Sequence, residues 1–263
     1  MATLASASPV VPVGDERFFL RAAIVMAILV VAGFSFQLAM GRSSFSSPIL
    51  VHLHAFTFMG WVFIYLLQNI FVAYGRMEFH RPLGWIAAAW IPLMLVMAYL
   101  VISVMVQRGT VPFFFKPQHF LIFDLMNVVT FASLSGAAII MRRRTEWHRR
   151  LHFCGMSTLL MPAVGRLLPM PLLQPRAWEA TFAVTLVFPA VGWWKDARRN
   201  GRAHPAWRWG IGVMLLGFIL TEAITYSPVG SSIYNMVAEG SKGAQVAPLE
   251  FAAPPDGPRM TGR

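Results

Sequence analysis

The chain has 263 residues, 57% of them hydrophobic and only 13% charged, where a soluble domain carries about 25% charged residues. That balance excludes an ordinary water-soluble domain, since charge-poor stretches of about 20 residues have the length that crosses a bilayer. The net charge of +11 raises nucleic acid as a partner, but the way the charge is spread along the chain argues against it.

Seven apolar stretches are expected to span, at 19–40, 50–74, 83–106, 119–141, 152–170, 178–194 and 207–226. The segment 1–18 lacks the basic leading region of a cleavable signal and carries Asp15 and Glu16 directly before the first span, so it reads as a cytoplasmic segment. Span two follows Ser46-Ser47-Pro48, a helix-start signal. Spans five and six are short and contain Pro162, Pro169, Pro171 and Pro189; proline is tolerated in membrane helices where neighbours satisfy the freed carbonyls. The stretch 227–263, with its Gly, Ser, Ala and Pro, reads as a flexible outer tail. The expected fold is all-α: a polytopic helical bundle over 19–226.

Basic residues fall between spans two and three (Arg76, Arg81), four and five (Arg142, Arg143, Arg144, Arg149, Arg150), and six and seven (Lys195, Arg198, Arg199, Arg202, Arg208). The other loops carry only Arg42, Arg108, Lys116 and Arg176. Positive residues mark the cytoplasmic side, which predicts the N-terminus inside and the C-terminus outside. The clusters then serve as topology signals and anionic-lipid contacts. The single Cys154 excludes an internal disulfide and reads as a buried, inert thiol.

Two segments nearly repeat. Arg76-Met77-Glu78-Phe79-His80-Arg81-Pro82-Leu83 returns as Arg144-Thr145-Glu146-Trp147-His148-Arg149-Arg150-Leu151, offset by 68 residues. Each ends an apolar stretch opened by a histidine, His52 or His119, so 50–83 and 118–151 form a duplicated two-helix unit. The histidines sort by depth: His52, His54 and His119 outside, His80, His148 and His152 inside. His148 and His152 are four apart and share a helix face. His52 and His54 point about 200° apart, and the deeper His54 is the expected bundle-facing one.

Three charges fall within the spans. Asp124 lies about 7–8 Å from the outer edge, Arg166 about 21 Å from the inner edge, and Glu222 about 22 Å beyond Trp207 by helical rise. Charges at such depth tend to pair or to mark function. An ion pair from Arg166 to Glu222 or Asp124 is expected, structural or catalytic. Together with His54 and His119 the three would make an outward-facing polar pocket for a metal, a quinone head group or a proton path.

Two imidazoles from neighbouring helices at one depth are what a haem iron takes as axial ligands. The expected pairs are His54 (or His52) with His119 outside, and His80 with His148 (or His152) inside. The layout over roughly 50–155 resembles the ascorbate-reducible b-type cytochromes, whose four central helices each supply one haem ligand. That resemblance implies two haems b held by His52 or His54, His80, His119 and His148, with electrons carried between the membrane faces. The chain is also similar to bacterial polytopic proteins with His-x-His-Ala, Gly-Trp, a mid-helix Gln and His-Arg-x-Leu-Gly. Here these are His52-Leu53-His54-Ala55, Gly60-Trp61, Gln68 and His80-Arg81-Pro82-Leu83-Gly84. This likeness implies a multi-pass protein of the bacterial inner membrane.

Other readings of the same residues stand beside this one. The Arg-x-Glu-aromatic-His-Arg turns can be interfacial clamps, with aromatic rings at headgroup level. Copper or zinc could take His54, His119 and Asp124 or Glu222. The chain could be a subunit of a larger complex, docking through Val111-Pro112-Phe113-Phe114-Phe115, or a solute or ion transporter using Asp124, Arg166 and Glu222.

Overall fold

The computed structural model describes residues 14–254. It is 79% helix, without a strand among those residues. The helices are α1 (Gly14–Ala39), α2 (Ile49–Ala73), α3 (Met77–Gln107), α4 (Pro117–Ile140), α5 (Thr145–Thr158), α6 (Met161–Leu167), α7 (Ala177–Asn200), α8 (Pro205–Thr225) and α9 (Pro228–Ala238). Short 3₁₀ turns follow α6 at Met170–Leu173 and α9 at Lys242–Gln245. Among the described residues five helices, all but the first residue of α1 together with α2, α3, α4 and α8, are long and apolar enough to cross a membrane.

Three expectations change. The fifth apolar stretch is not one helix. Pro162 brings no N–H to the ladder, and the chain breaks into α5 and α6 at Leu159-Leu160. The repeated basic turns are helical, because α3 begins at Met77 and α5 at Thr145. His80 and His148 therefore sit in opening helical turns rather than in loops. The segment after Tyr226 is folded as far as residue 254; 255–263 lie outside the described residues. Ser227 Oγ caps α9 by accepting from the Gly230 backbone N–H. Tyr234 donates to Gly243 O at 3.1 Å, and the Gln118 backbone N–H to Pro248 O at 2.8 Å. Gly243 lies so close to Val106 O that a Cβ would collide.

α4 lies centrally, packed against α3, α5 and α8, while α1 packs on α2 and α6. Small residues let helix backbones approach closely where no hydrophobic drive exists between them in lipid. Gly217 of α8 meets Thr130 of α4, and Gly210 of α8 meets Cys154 of α5, with no room for a Cβ at either. Cys154 is fully buried. The connections alternate between two ends. One, here the basic end, gathers the start of α1 and the α2–α3, α4–α5 and α7–α8 turns. The other holds the α1–α2, α3–α4 and α6–α7 connections, with α9 beside them.

The basic end is locked by a buried ion network. Arg150 and Asp196 are 2% and 6% exposed, and the guanidinium donates to both carboxylate oxygens at 3.0 Å. Asp196 also accepts from Trp207 Nε1 at 3.1 Å, the His204 backbone N–H at 2.9 Å and Asn200 Nδ2 at 2.7 Å. Arg150 Nη1 also pairs with Glu146. Arg149 meets Glu146 at 2.6 Å and Asp15 at 2.5 Å, and Arg199 reaches the same Asp15. α1, α5, α7 and α8 are thereby tied at one level.

Candidate functional site

At the basic end three imidazoles converge. The His80 and His148 rings are 6.3 Å apart, centroid to centroid, at 83°, and His148 and His152 are 4.8 Å apart at 87°. α3 brings the first; α5, with its four-residue spacing, brings the other two. His148 Nδ1–H donates to Ala138 O at 2.8 Å. That bond fixes the tautomer and leaves Nε2 as the lone-pair nitrogen, the arrangement that orients a metal-ligating histidine. His80 Nδ1 is buried without a hydrogen-bond partner, as is Gln68 Oε1. Gln68 packs beside Gly84, one turn past His80. Behind the cluster, Trp61 lies 6.5 Å from His152.

The opposite end holds two separate polar groupings rather than one pocket. In the first, His119 Nε2–H donates to Glu222 Oε1 at 3.0 Å. The His119 ring is packed by Trp178 at 4.9 Å, Phe123 at 5.5 Å and Tyr226 at 6.3 Å. This pair lies in a cleft of ≈ 240 Å³ between α4, α7 and α8. Lys116 sits at its rim, 3.5 Å from the Tyr226 hydroxyl and over the Phe251 ring. Arg176 pairs with Glu179 at 3.1 Å on the other side.

The second grouping is His54, Asp124 and Arg166. The Arg166 guanidinium donates to Pro162 O at 2.8 Å and lies 4.2 Å over the Phe34 ring. Among the described residues no ion pair joins Arg166 to an acid. The expected Arg166–Glu222 bridge is therefore replaced by His119–Glu222. Helix geometry supplies the reason: His119 and Asp124, five residues apart on α4, point about 140° away from each other. His119 faces Glu222 of α8, and Asp124 is turned away from that pair.

The same rotation separates the expected outer histidine pair. His54 donates from Nδ1 to Met97 O of α3 at 3.4 Å and stacks on Phe58 at 4.4 Å, while His119 turns to α8. His52 folds back to the preceding loop and donates to Phe45 O at 3.1 Å. A copper or zinc site from His54, His119 and an acid is not assembled; among the described residues no three His, Cys, Asp or Glu side chains gather closely enough to hold a metal ion. The Val111–Phe115 run is not an open docking face either. Val111 is 5% exposed, Phe115 packs on Phe120 and Phe123, and Phe113 O accepts from Gln174.

One further histidine, His204, acts locally. It caps α8, its Nδ1 accepting from the Ala206 backbone N–H at 3.1 Å, and its ring meets Trp147 at 5.4 Å. Burial lowers its pKa from the ordinary histidine value, with Arg150 adding to the effect; this suits an acceptor that must stay unprotonated. The signal for it was the His-Pro-Ala start of a helix. No family model, no curated protein and no solved structure matches the chain.

Proposed function

We propose that this is a multi-pass protein of the bacterial inner membrane that holds a redox-active metal, haem b in the first instance, at its basic end. Five helices support membrane residence. The seven-span reading adds the broken α5–α6 pair and the 24-residue α7. The alternation of basic turns orients the N-terminus inside and the C-terminus outside.

The observation that carries the redox reading is the meeting of His80 and His148, delivered by two equivalent turns. With their rings 6.3 Å apart, His80 and His148 are the two residues that would hold the metal. At this end His80 and His148 would supply two donors, His148 with its Nε2 left oriented, although with His152 they do not make a three-ligand group. The donor set does not fit at the other end, where His54 and His119 serve different neighbours. One metal centre, not two, is the reading. A haem iron so held supplies one-electron chemistry; His152 would act from behind His148, as an alternative ligand or a polar neighbour. The His119–Glu222 cleft, walled by Trp178 and Tyr226, is the candidate quinol or acceptor site.

Absorption spectra of the detergent-purified protein, oxidised and dithionite-reduced, with metal analysis on the same sample, test this. The expected result is a reduced b-type band with about one iron per chain, lost in H80A and in H148A and kept in H54A. A colourless, iron-free protein from haem-replete cells would overturn it. A second reading, a solute or ion transporter, is favoured by one observation: the His54–Asp124–Arg166 grouping inside the membrane span, where ionisable residues mark pathways. Transport into proteoliposomes that D124N abolishes would establish it.

A further inference from the structure

A groove of ≈ 360 Å³ opens at the basic end between α1 and α7. These helices pack on other neighbours, α1 on α2 and α6, and α7 on α5, α6 and α8. The gap between them is floored by Phe153 of α5, which is fully buried. Its walls carry two matched stripes at four-residue spacing. Descending α1 from the basic end gives Arg17, Arg21 and Val25; climbing α7 toward that end gives Val187, Val191 and Lys195. Each step is about 6 Å of helical rise. The groove thus passes from cationic to apolar over about 12 Å, with the charges of both walls at its mouth.

We propose that this groove binds one anionic phospholipid, its phosphate at Arg17, Arg21 and Lys195 and an acyl chain along Val25, Val187 and Val191. Two arguments carry this. A gap between spanning helices cannot be filled with water at acyl depth, because water there would lack hydrogen-bond partners on apolar walls; a lipid chain fills it at no such cost. The mouth selects charge: Lys195 lies 4.9 Å over the Phe18 ring, exposed beside Arg21, and both line the groove. Basic pockets between membrane helices on the cytoplasmic side bind anionic headgroups in this way. The inference rests on membrane residence and not on the redox reading, so either can fail alone.

Native mass spectrometry of the delipidated full chain, mixed with phosphatidylglycerol or phosphatidylcholine in a neutral detergent, tests it. The expected result is one retained phosphatidylglycerol and no comparable phosphatidylcholine. R21Q/K195Q should weaken retention about 30-fold, two cations each contributing about 5-fold. V187W should abolish it by filling the acyl half, whereas R142Q/R143Q, on the same end but outside the groove, should leave it unchanged. Equal retention of both lipids, an equal loss in R142Q/R143Q, or full retention in V187W would overturn the proposal. So would a dimer that V187W disperses while lipid retention is unaffected, since the groove would then belong to a second copy of the chain.

Discussion

The turn at 76–83 and the turn at 144–151 share a sequence pattern and a backbone. In each, the residues three and four past the leading arginine donate to its carbonyl. Phe79 and His80 bond Arg76 O at 3.1 and 3.2 Å; Trp147 and His148 bond Arg144 O at 2.9 and 3.0 Å. Their surroundings differ. Arg76 and Glu78 pair at 2.5 Å with both side chains 56% exposed, and Phe79 is 48% exposed. In the second copy Glu146, Arg149 and Arg150 join a network with Asp15, Asp196 and Trp207. The decisive difference is one position: Pro82 in the first copy is Arg150 in the second. Equal local structure does not make equal stability; the tertiary partners of one residue do. What the copies keep in common is the histidine, and these two histidines meet.

The largest expected effect follows from that position. Removing one partner of a buried ion pair leaves the other charge uncompensated and costs about 3–5 kcal/mol. Asp196→Ala strips Arg150 of its bidentate partner and orphans Trp207 Nε1 and the His204 backbone N–H as well. Its unfolding midpoint in detergent should fall farthest of any substitution at this end. R150M/D196L, which removes both charges in similar volume, should recover much of the loss. If D196A unfolds like the wild-type protein, the network is not what holds the second turn.

A smaller effect is expected at His204, present only in the loop that serves the second turn. Its neutral form is favoured in the folded state. Its contribution is therefore fully present above the unfolded histidine pKa of about 6.5 and is lost as pH falls below that value. Losing the cap costs about 1 kcal/mol. H204N, which caps without titrating, should flatten the stability difference between pH 7.5 and pH 5 relative to wild type. An unchanged slope would show that the cap does not titrate.

The all-helical fold was readable from the apolar runs, because they depend on local composition; five of the described helices are long and apolar enough to cross a membrane. The break at Leu159-Leu160 was foreshadowed by Pro162, yet a proline alone does not say whether a helix bends or stops. The inner histidines converge because their turns are equivalent and stand at one level. Their proximity could be anticipated from the repeat. The outer expectation failed on helix rotation: depth along the chain placed His54, His119, Asp124, Arg166 and Glu222 together, while azimuth about α4 set His119 against Glu222 and turned Asp124 away from that pair. Composition also misread 227–254 as a tail, since its anchoring bonds, such as the one from Gln118 N to Pro248 O, join residues 130 apart in sequence and leave no local trace.

The smallest effect sharpens the comparison from the other side. Glu78 makes an exposed pair with Arg76, and such pairs contribute about 0–1 kcal/mol. Glu78→Ala should therefore leave the unfolding midpoint almost where it is, although its counterpart Glu146→Ala takes a partner from both Arg149 and Arg150 and should lower it clearly. The more telling readout of E78A is the pigment. If the first turn exists chiefly to present His80, and the proposed metal is bound there, then E78A should keep both stability and iron, while H80A should keep stability and lose the iron. A large stability loss in E78A would mean that the first turn is also a clamp, with a partner beyond Arg76, and the two copies would then differ in degree rather than in kind.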